Sequence, residues 1–326
     1  MNIKLTIICA LSLLLAPMLG DARAQSDYPS RPITLIIPFP AGGVTDVVGR
    51  EVARGLQKAL NQTIVVENRS GAAGILGTRA LAQTSPDGYT LGILTVSGIS
   101  IAPHVQSNLG FDAAKDFTPI SNAVTADGAI VANVNAPFNT VQELVKQAKE
   151  QPGKFSYASV GNGSLPHLAA DLFSHMAGIN LLHVPYRGAS PALQDLMGGQ
   201  IDLSFESSLV TTVSSLSTGR LKVLAITGPD RSPLMPNVPT VAESGYPGFS
   251  ALGWFGVFGP AGLPPKILET LNRAVTDTLR DPAVIERLTK VGTQAAPTSP
   301  EAFVKFLREE DQKWASIAKR LNVRVD

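Results

Sequence analysis

The feature that most constrains this chain is a repeated alternation of short apolar runs with amphipathic stretches. The run ITLIIPF, starting at Ile33, has strand length and is almost wholly apolar, which is typical of a strand buried on both faces of a parallel sheet. The stretch after it places Val44, Val48, Val52 and Leu56 at intervals of four, as one face of a helix requires. Because this pairing recurs, the sequence predicts βαβ units and an α/β fold with mostly parallel sheets flanked by helices.

The same pattern predicts the other elements. Strands are expected to begin near residues 33, 63, 89, 129, 155, 180, 201 and 221. Helices are expected over residues 45–60, 71–83, 140–150, 166–178, 190–199 and 210–220, with three more between Pro264 and Leu321. For the helix near residue 190 we expect Ser190 as the N-cap and Pro191 as the first helical residue. The proline-rich stretch 229–249 is interpreted as a surface excursion.

The order of these elements predicts two α/β lobes. Lobe 1 is expected to comprise residues 25–124 plus 228–326, and lobe 2 residues 125–227. A chain that leaves one lobe, builds the second and returns crosses between them twice. Two crossings form a hinge, and a hinge creates a cleft.

Residues 1–24 are interpreted as an export signal. Lys4 provides a short positive region, residues 5–16 are almost unbroken apolar, and Ala22-Arg23-Ala24 fits a small-x-small cleavage rule, so we expect cleavage after Ala24. The apolar run is short for a membrane span. We therefore expect a periplasmic protein.

Composition limits the chemistry of the exported form. Its single cysteine, Cys9, lies within the expected signal, so disulfides, thiolate metal sites and a cysteine nucleophile are not expected after cleavage. The remaining chain of about 300 residues is long enough for two lobes of roughly 100–200 residues each. Basic and acidic residues balance in it, which argues against nucleic acid or an anionic membrane surface as a partner. We expect a monomer.

Several glycine-rich turns follow predicted strands and precede predicted helices. In open α/β sheets ligands bind outside the carboxyl ends of strands, where the amides of helix N-termini attract anions and glycine lets a ligand approach the backbone. These turns are expected to form an anion site if both lobes direct them into one cleft; taken singly, such turns are ordinary in α/β folds. The candidate ligand-binding residues are Phe39, Ala41, Gly42, Gly43, Asp46, Ser97, Ser159, Gly161, Asn162, Ser164, Tyr186, Gly188 and Glu206.

Three charged residues near these turns have more than one interpretation. Asp46 lies in the first turn of its helix, where it could simply favour the helix dipole, orient the glycine loop or meet a ligand ammonium. Arg187 could clamp a carboxylate or be a solvated edge residue. Glu206, at the end of a strand, likewise has both a ligand-binding and a structural interpretation.

Enzyme and cofactor motifs match poorly. The stretch GAAGILG does not have the glycine spacing of a dinucleotide site, and the first turn lacks the Lys of a P-loop. In GNGSL the serine is displaced from the hydrolase G-x-S-x-G pattern. The histidines form no H-E-x-x-H motif, and the spacing of eight residues between His167 and His175 is only a weak signal for metal binding. We therefore expect no cofactor, no metal and no catalytic residues.

Several segments together resemble one protein family. YPSRPITLIIPFPAGGVTDVVGR, VVENRSGAAGILGTRALAQTSPDGYTL, SYASVGNGSLPHLAADLF and HVPYRGASPALQDLMGGQID occur in the order seen in the Bug receptors, the TctC-type periplasmic solute-binding proteins of tripartite tricarboxylate transporters. The resemblance covers nearly the whole chain after the signal.

The resemblance implies a two-lobed Venus-flytrap fold that closes over a small carboxylate. It implies a grip mainly through backbone N–H groups, hydroxyls and water, with residues 39–43 and Asp46 on one side and residues 159–164 and 186–188 on the other. The family often has an aspartate and a later proline where this chain has Glu206 and no such proline, so the far wall of the cleft is expected to differ.

The leading hypothesis is an extracytoplasmic protein that captures a small organic carboxylate and delivers it to membrane transporter subunits. Two alternatives stay open: a periplasmic enzyme that acts on a carboxylate, and a ligand sensor for a signalling receptor. The sequence does not identify the carboxylate.

Overall fold

The computed structural model describes residues 28–325, with the side chains of all of these except residues 210 and 211. The export signal expected at residues 1–24 lies outside the described residues. The strands are β1 (Ile33–Ile37), β2 (Ile64–Asn68), β3 (Thr90–Thr95), β4 (Phe117–Ala126), β5 (Ala129–Asn133), β6 (Ser156–Ser159), β7 (Leu182–Pro185), β8 (Leu203–Glu206), β9 (Leu221–Ile226), β10 (Gly253–Pro260) and β11 (Thr293–Ala295). The helices are α1 (Val44–Leu60), α2 (Ile75–Ala82), α3 (Ala102–Val105), α4 (Val141–Glu150), α5 (Leu165–Ala177), α6 (Ala189–Met197), α7 (Val210–Leu216), α8 (Pro265–Arg280), α9 (Pro282–Lys290) and α10 (Pro300–Leu321).

The strands form two sheets, which build the two lobes. The sheet of lobe 1 has the order β11-β4-β10-β3-β1-β2, and that of lobe 2 the order β7-β6-β8-β5-β9. The predicted two-lobed α/β architecture is therefore confirmed. The chain enters lobe 2 between β4 and β5 and leaves it after β9; where the lobes divide as folding units, expected at 124/125 and 227/228, stays a prediction.

The sheets are mixed, which corrects the expectation of mostly parallel sheets. Pairs β1–β2, β1–β3, β6–β7 and β6–β8 are parallel. Pairs β3–β10, β4–β10, β4–β11, β5–β8 and β5–β9 are antiparallel. The reason is the double crossing: β5 and β10 each enter their sheet directly from the other lobe, without a crossover helix to make them parallel to their neighbours.

Three strands of lobe 1 were missed by the apolar pattern: β4, β10 and the three-residue β11. In β10 the sequence GWFGVFGP places glycine at every third position. In β4 the sequence FTPISNAVTA mixes Pro119 and four polar residues with apolar ones. Strands β4 and β10 are nonetheless mostly buried, because they lie side by side in the sheet. The position of β10 beside β3 brings residues of β10 to the interlobe cleft.

The two crossings touch each other closely at the hinge. The Thr227 amide donates to the Gly128 carbonyl over 2.9 Å, and a side chain at Gly128 would collide with the backbone of Glu206. Glycine is thus required at position 128 for the close approach of two backbones.

A continuous apolar core joins the lobes on one side. Helix α10 packs against β4 of lobe 1 and against α5 of lobe 2. Trp254 and Trp314 are fully buried there, and both indole N–H groups donate to the Glu310 carboxylate over 3.1 Å. This satisfies the only polar atom of each indole, as burial of tryptophan requires.

Candidate ligand-binding site

A cavity of about 100 Å³ lies between the lobes, at the carboxyl ends of β1, β3 and β7. We call it the amide cavity, because two helix N-termini line it. Its wall contains Phe39, Pro40, Ala41, Gly43, Val44, Thr45, Thr95, Val96, Ser97, Val160, Leu165, Arg187, Gly188, Ala189, Ser190, Pro191, Ser207, Gly253, Trp254 and Phe255. Both lobes therefore contribute to one cavity.

The first of these N-termini belongs to α1. Its N-cap, Gly43, has φ −81° and ψ 171° and no side chain to accept from the first helical amides. The Val47 amide already donates to the Gly43 carbonyl, whereas the amides of Val44 and Thr45 precede the first intrahelical bond. Both residues line the cavity, so α1 offers it two N–H donors and the positive end of its dipole.

Asp46 holds this turn in place from behind. Its carboxylate accepts from the Gly42 amide over 3.0 Å, from Arg50 Nε over 2.9 Å and from Asn68 Nδ2 over 2.9 Å. Asn68 also donates to the Phe39 carbonyl over 3.0 Å. Burial by itself would raise the pKa of Asp46, but these hydrogen bonds outweigh it and hold the pKa below its ordinary value. Among the interpretations left open for Asp46, the geometry favours orientation of the glycine loop.

The second N-terminus belongs to α6, and it differs from the expectation. The helix begins at Ala189 with Gly188 as N-cap, so Ser190 is not the N-cap. Gly188 has φ 125° and ψ 171°, a backbone region that only glycine enters readily, and this conformation starts the helix early. No side chain caps the helix, and Ala189 and Ser190, whose amides precede the first intrahelical bond, line the cavity.

The N-terminus of α5, in contrast, is occupied by the protein itself. The Leu165 amide donates to Ser97 Oγ across the lobes over 3.0 Å, and the Gly163 amide donates to His167 Nδ1 over 3.1 Å. Ser164 Oγ donates to the Gly161 carbonyl over 2.6 Å. Its loop therefore shapes the wall through Val160 and leaves few amides for a ligand.

A stack of three rings supports that loop. The His167 and His183 rings lie 4.2 Å apart and nearly parallel, and Tyr157 stacks on His183 at 4.8 Å. His183 Nε2 and Ser159 Oγ are hydrogen-bonded at 2.7 Å. Burial lowers the pKa of both His167 and His183 to about 4, so both imidazoles are neutral near pH 7.

A larger cavity of about 660 Å³ adjoins the amide cavity and shares Phe39, Pro40, Val160, Arg187 and Gly188 with it. Its other wall residues are Ser70, Gly71, Ala72, Ala73, Gly74, Leu76, Gln106, Gly161, Asn162, Pro185, Tyr186 and Val325. Arg187 is exposed at the boundary and forms no ion pair within residues 28–325. It is the cation that a ligand in either cavity would meet.

The predicted site residues fall into three groups. The amide cavity is lined by Phe39, Ala41, Gly43, Ser97 and Gly188. The larger cavity adds Gly161, Asn162 and Tyr186. Neither wall includes Gly42, Asp46, Ser159, Ser164 or Glu206. Gly42 and Asp46 bond to each other, and Ser159 and Ser164 bond to the loop of Gly161.

Glu206 lies beneath the wall rather than in it. Its carboxyl is fully buried, accepts from Ser204 Oγ over 2.5 Å, and has its pKa raised to about 7 by burial. The next residue, Ser207, lines the amide cavity instead. Because neighbouring strand residues point to opposite faces, the end of β8 presents the serine and hides the glutamate.

Sequence reasoning missed several wall residues: Thr45, Thr95, Ser190, Ser207, Trp254 and Phe255. Thr45 and Ser190 follow their glycine N-caps by two residues, a spacing that could have identified them. Trp254 and Phe255 belong to β10, which the apolar pattern did not reveal. Across residues 28–325 no group of three or more His, Cys, Asp or Glu side chains could hold a metal ion, and no helix is long and apolar enough to span a membrane.

Comparisons with known proteins agree with this architecture. Residues 48–323 match the model of the tripartite tricarboxylate transporter family receptor, TctC. Protein BugT of Bordetella pertussis is 35% identical over 311 residues, which cover 95% of this chain and 94% of BugT. The structure of Rhodopseudomonas palustris Rpa4515 with adipate has 32% identity and a TM-score of 0.88, covering 91% of this chain and 99% of that one. The periplasmic binding protein BugD has 34% identity and a TM-score of 0.85, with coverage of 91% and 99%.

Proposed function

The chain belongs to the tripartite tricarboxylate transporter receptor family, and on that premise we propose that it captures a small organic carboxylate in the amide cavity and delivers it to a membrane transporter. The family and the fold are those of solute-binding proteins. The adipate held by Rpa4515 supports a carboxylate as the ligand.

One observation carries the assignment of the site. Two helices from different lobes, α1 and α6, begin at the same cavity, and neither has a side-chain cap. Unpaired N–H groups at helix starts bind carboxylates well, because the donors and the dipole both favour negative charge. A carboxylate with one oxygen towards Val44 and Thr45 and the other towards Ala189 and Ser190 would satisfy amides of both lobes.

Such a ligand stabilises the closed arrangement of the lobes. An added Cβ at Gly188 would lie 3.3 Å from Pro40 Cγ, so the two turns approach closely across the cleft. The hydrogen bond from the Leu165 amide to Ser97 Oγ also links the lobes. In an open form only one set of amides could reach the carboxylate, and the ligand therefore shifts the population towards closure.

The described wall offers little for catalysis of a reaction on the ligand. The serine–histidine hydrogen bond between Ser159 and His183 is not at either cavity wall, and Ser159 is only 1% exposed. A nucleophile must reach its substrate, so this pair is better suited to hold the loop. The binding role fits the wall better than the enzyme alternative does.

The proposal has three parts that concern the whole protein. We place it in the periplasm after cleavage behind Ala24, as a monomer, with lobe 1 formed by residues 25–124 plus 228–326 and lobe 2 by residues 125–227. N-terminal sequencing of the periplasmic fraction tests the cleavage, and light scattering after gel filtration tests the monomer. An N-terminus other than Gln25 would contradict the expected cleavage. A mass twice that of the chain would contradict the monomer.

The binding site itself is tested by calorimetry with Gly43→Val. The backbone angles of Gly43 suit any residue and the nearest atom to an added Cβ is the Pro40 carbonyl oxygen at 3.7 Å, so the protein should fold while the side chain narrows the cavity. A thermal-shift screen of adipate, succinate, malate, citrate and benzoate selects the probe. We expect Gly43→Val to bind this probe at least tenfold more weakly, which corresponds to a loss of about 1.4 kcal/mol or more of binding free energy.

Gly198→Ala is the matched control, because Gly198 lies at the far end of α6 with φ −76° and is not part of the wall. It should bind the probe as the wild type does. Unchanged affinity in a folded Gly43→Val protein would show that the carboxylate does not bind in the amide cavity.

A further inference from the structure

A surface groove between helices α5 and α10 lies apart from both cavities of the cleft. It has a volume of about 510 Å³, is walled by residues of α5, of α10 and of the loop 247–250, and shares no wall residue with either cavity. We infer that this groove, the α5–α10 groove, is the docking surface for an acidic, partly apolar segment of the membrane transporter. The inference rests on the proposed function only for the existence of that transporter.

The α5–α10 groove has an apolar floor and a polar rim. Leu172 and Met176 of α5 and Ile317 of α10 contribute apolar side chains, and Leu172 and Ile317 are buried. Ser316 and Arg320 are exposed at its rim. An apolar centre with a polar rim is the usual arrangement of a protein interface. Because the rim is open, a small molecule would stay largely solvated there, whereas a polypeptide segment covers the floor and the rim together.

The charged residues of the groove wall are both cations. Lys313 and Arg320 line it, and no acidic residue does. Lys313 is paired with Glu310 at 3.1 Å, and that carboxylate also accepts from the two buried indoles. Arg320 is exposed and forms no ion pair with any other residue between 28 and 325. The groove therefore presents one unpaired guanidinium beside apolar surface.

The charge of α10 is divided along its length. Its acidic residues all lie in the first half, at Glu301, Glu309, Glu310 and Asp311. From residue 312 to residue 325 the chain has no acidic residue, and its basic residues are Lys313, Lys319, Arg320 and Arg324. Lys319 and Arg324 are exposed and, over the described part of the chain, form no ion pair either. The groove thus opens beside the basic half of the helix.

Basic residues in the last turn of a helix have an ordinary explanation, because they stabilise its dipole. Lys319 and Arg320 lie in the last turn of α10, and α5 ends at Ala177, next to Met176 in the groove wall. The two helix ends together carry only about −1 elementary charge, however. Lys319, Arg320 and Arg324 exceed this, so positive charge remains at the surface. It attracts anionic groups over about 8–10 Å at physiological salt.

Elements of both lobes form the α5–α10 groove. Helix α5 follows β6 of lobe 2, whereas α10 packs against β4 of lobe 1 and the loop 247–250 precedes β10 of lobe 1. Hinge motion therefore changes the position of α5 relative to α10, and with it the shape of the groove. A docked segment would contact the open and closed forms differently, so its affinity would depend on the bound carboxylate. A transporter that must recognise the loaded form needs such a surface.

The chemistry of the groove defines its occupant. A carboxylate of the partner would pair with Arg320, since a guanidinium binds carboxylates with two parallel hydrogen bonds. An apolar side chain of the same segment would cover Met176 and Ile317. A periplasmic segment of the transporter that carries Asp or Glu next to an apolar residue meets both requirements.

Photocrosslinking in whole cells tests the occupant. The gene is deleted from the source bacterium and restored with Ser316→p-benzoylphenylalanine, which places the crosslinker at the groove rim. With the carboxylate selected by the thermal-shift screen present, we expect an adduct to a membrane subunit of the transporter, mapped by mass spectrometry to an acidic periplasmic segment. Lys58→p-benzoylphenylalanine, at an exposed site on α1, should give no such adduct. The absence of a transporter adduct from Ser316, or one at a segment without acidic residues, would overturn the inference.

Charge reversal tests the role of the unpaired guanidinium. We expect Arg320→Glu to lower the initial rate of carboxylate uptake by cells at least about fivefold, while the affinity of the purified protein stays within about twofold of wild type. Arg308→Glu is the matched control, because Arg308 is exposed on the first half of α10 and outside the groove wall. Its uptake should stay within about 1.5-fold of wild type. If Arg320→Glu does not melt cooperatively, Ser316→Asp and Ser316→Asn compare an added anion with a neutral residue of similar shape.

The outcomes identify what fails. Wild-type uptake with Arg320→Glu, or equal uptake with Ser316→Asp and Ser316→Asn, would overturn the inference alone. Sedimentation of the protein with phosphatidylglycerol vesicles that Arg320→Glu abolishes would assign the basic surface to an anionic membrane and overturn it as well. If the wild type binds none of the screened carboxylates and its deletion leaves uptake unchanged, the proposed function fails and the inference fails with it.

Discussion

The N-termini of α1 and α6 face one cavity and both have glycine at the N-cap, but the glycine serves a different purpose in each. Gly43 has angles open to any residue, with φ −81° and ψ 171°, and no atom within 3.6 Å of an added Cβ. Gly188 has φ 125° and ψ 171°, where a side chain is strained whatever the space around it. In lobe 1 glycine keeps room for the ligand, and in lobe 2 it shapes the backbone.

A further difference concerns what holds each turn. The turn before α1 is fixed by a charged network through Asp46, whereas the neighbouring loop of lobe 2 is fixed by neutral hydrogen bonds and stacked rings around His167 and His183. The lobe 1 wall should therefore depend on one carboxylate and the lobe 2 wall on two neutral imidazoles. The following predictions test that contrast, beginning with the largest effect.

Asp46→Ala should remove the support of the lobe 1 turn. The Gly42 amide, Asn68 and Arg50 lose their common acceptor, and we expect the free energy of unfolding to fall by about 3 kcal/mol. Urea denaturation measures this loss. Asp277→Ala, at an exposed site on α8, should change stability by less than about 0.5 kcal/mol. Equal stability of the two variants would show that the network does not hold the turn.

Gly188→Ala should destabilise the protein by about 2 kcal/mol, because alanine is strained at φ 125° and its Cβ approaches Pro40. Gly43→Ala should be nearly neutral for stability, since its angles need no glycine. Thermal melts of the two variants compare the lobes directly. Similar melting temperatures would contradict the different roles of the two glycines.

Mild acid should weaken the lobe 2 wall. A folded pKa of about 4 for His167, against an unfolded value of 6.5, means that the unfolded chain binds more protons between these two values. The contribution of the neutral His167 ring to the free energy of unfolding is therefore fully present above pH 6.5, and it is lost as the pH is lowered towards 4. For His167 alone we expect a loss of about 1.5 kcal/mol between pH 7.5 and 5.5, measured by urea denaturation.

The groups that face this ring are His183, which stacks on it, and Asp171 on the same helix, whose carboxylate lies 3.4 Å from His167 Nε2. Tyr157 stacks on His183. His167→Asn is the control, because an amide oxygen can still accept from the Gly163 amide but does not titrate. Its stability should depend less on pH than that of wild type. The same pH dependence in both proteins would rule out His167 as the cause.

Ser164→Ala should have the smallest effect. Its hydroxyl donates to the Gly161 carbonyl within the loop, so we expect a stability loss of about 1 kcal/mol. Affinity for the selected carboxylate should change by less than about twofold, because Ser164 is fully buried and not in the wall. A tenfold loss of affinity in calorimetry would instead indicate direct contact with the ligand.

Much of the fold followed from local pattern. The runs that became β1, β3 and β5 are apolar at nearly every buried position, with Thr95 and Asn133 at strand ends as exceptions. The stripe of Val48, Val52 and Leu56 is fully buried on α1 as predicted. The mixed sheets were not predictable this way, because the direction of β5 and β10 depends on the crossing between lobes. The glycines of β10 hid a strand whose burial comes from its neighbours β3 and β4.

The sequence predicted which turns lie at the site, but not which backbone amides in those turns are open to a ligand. The glycines before α1 and α6 indicated helix starts near a cleft, and both lie at the amide cavity. The start of α5 carries the same signal, yet it bonds to Ser97 Oγ, a partner 68 residues away in the chain. Such tertiary partners decide which helix start is open to a ligand, and the local sequence does not show them.

The most direct test of the account is a crystal structure with the carboxylate that raises the melting temperature most. The account predicts ligand oxygens at about 3 Å from the amide nitrogens of Val44 or Thr45 and of Ala189 or Ser190, with both lobes in contact with one carboxylate. A carboxylate bound to the Arg187 side chain alone, with the starts of α1 and α6 facing no ligand, would contradict it.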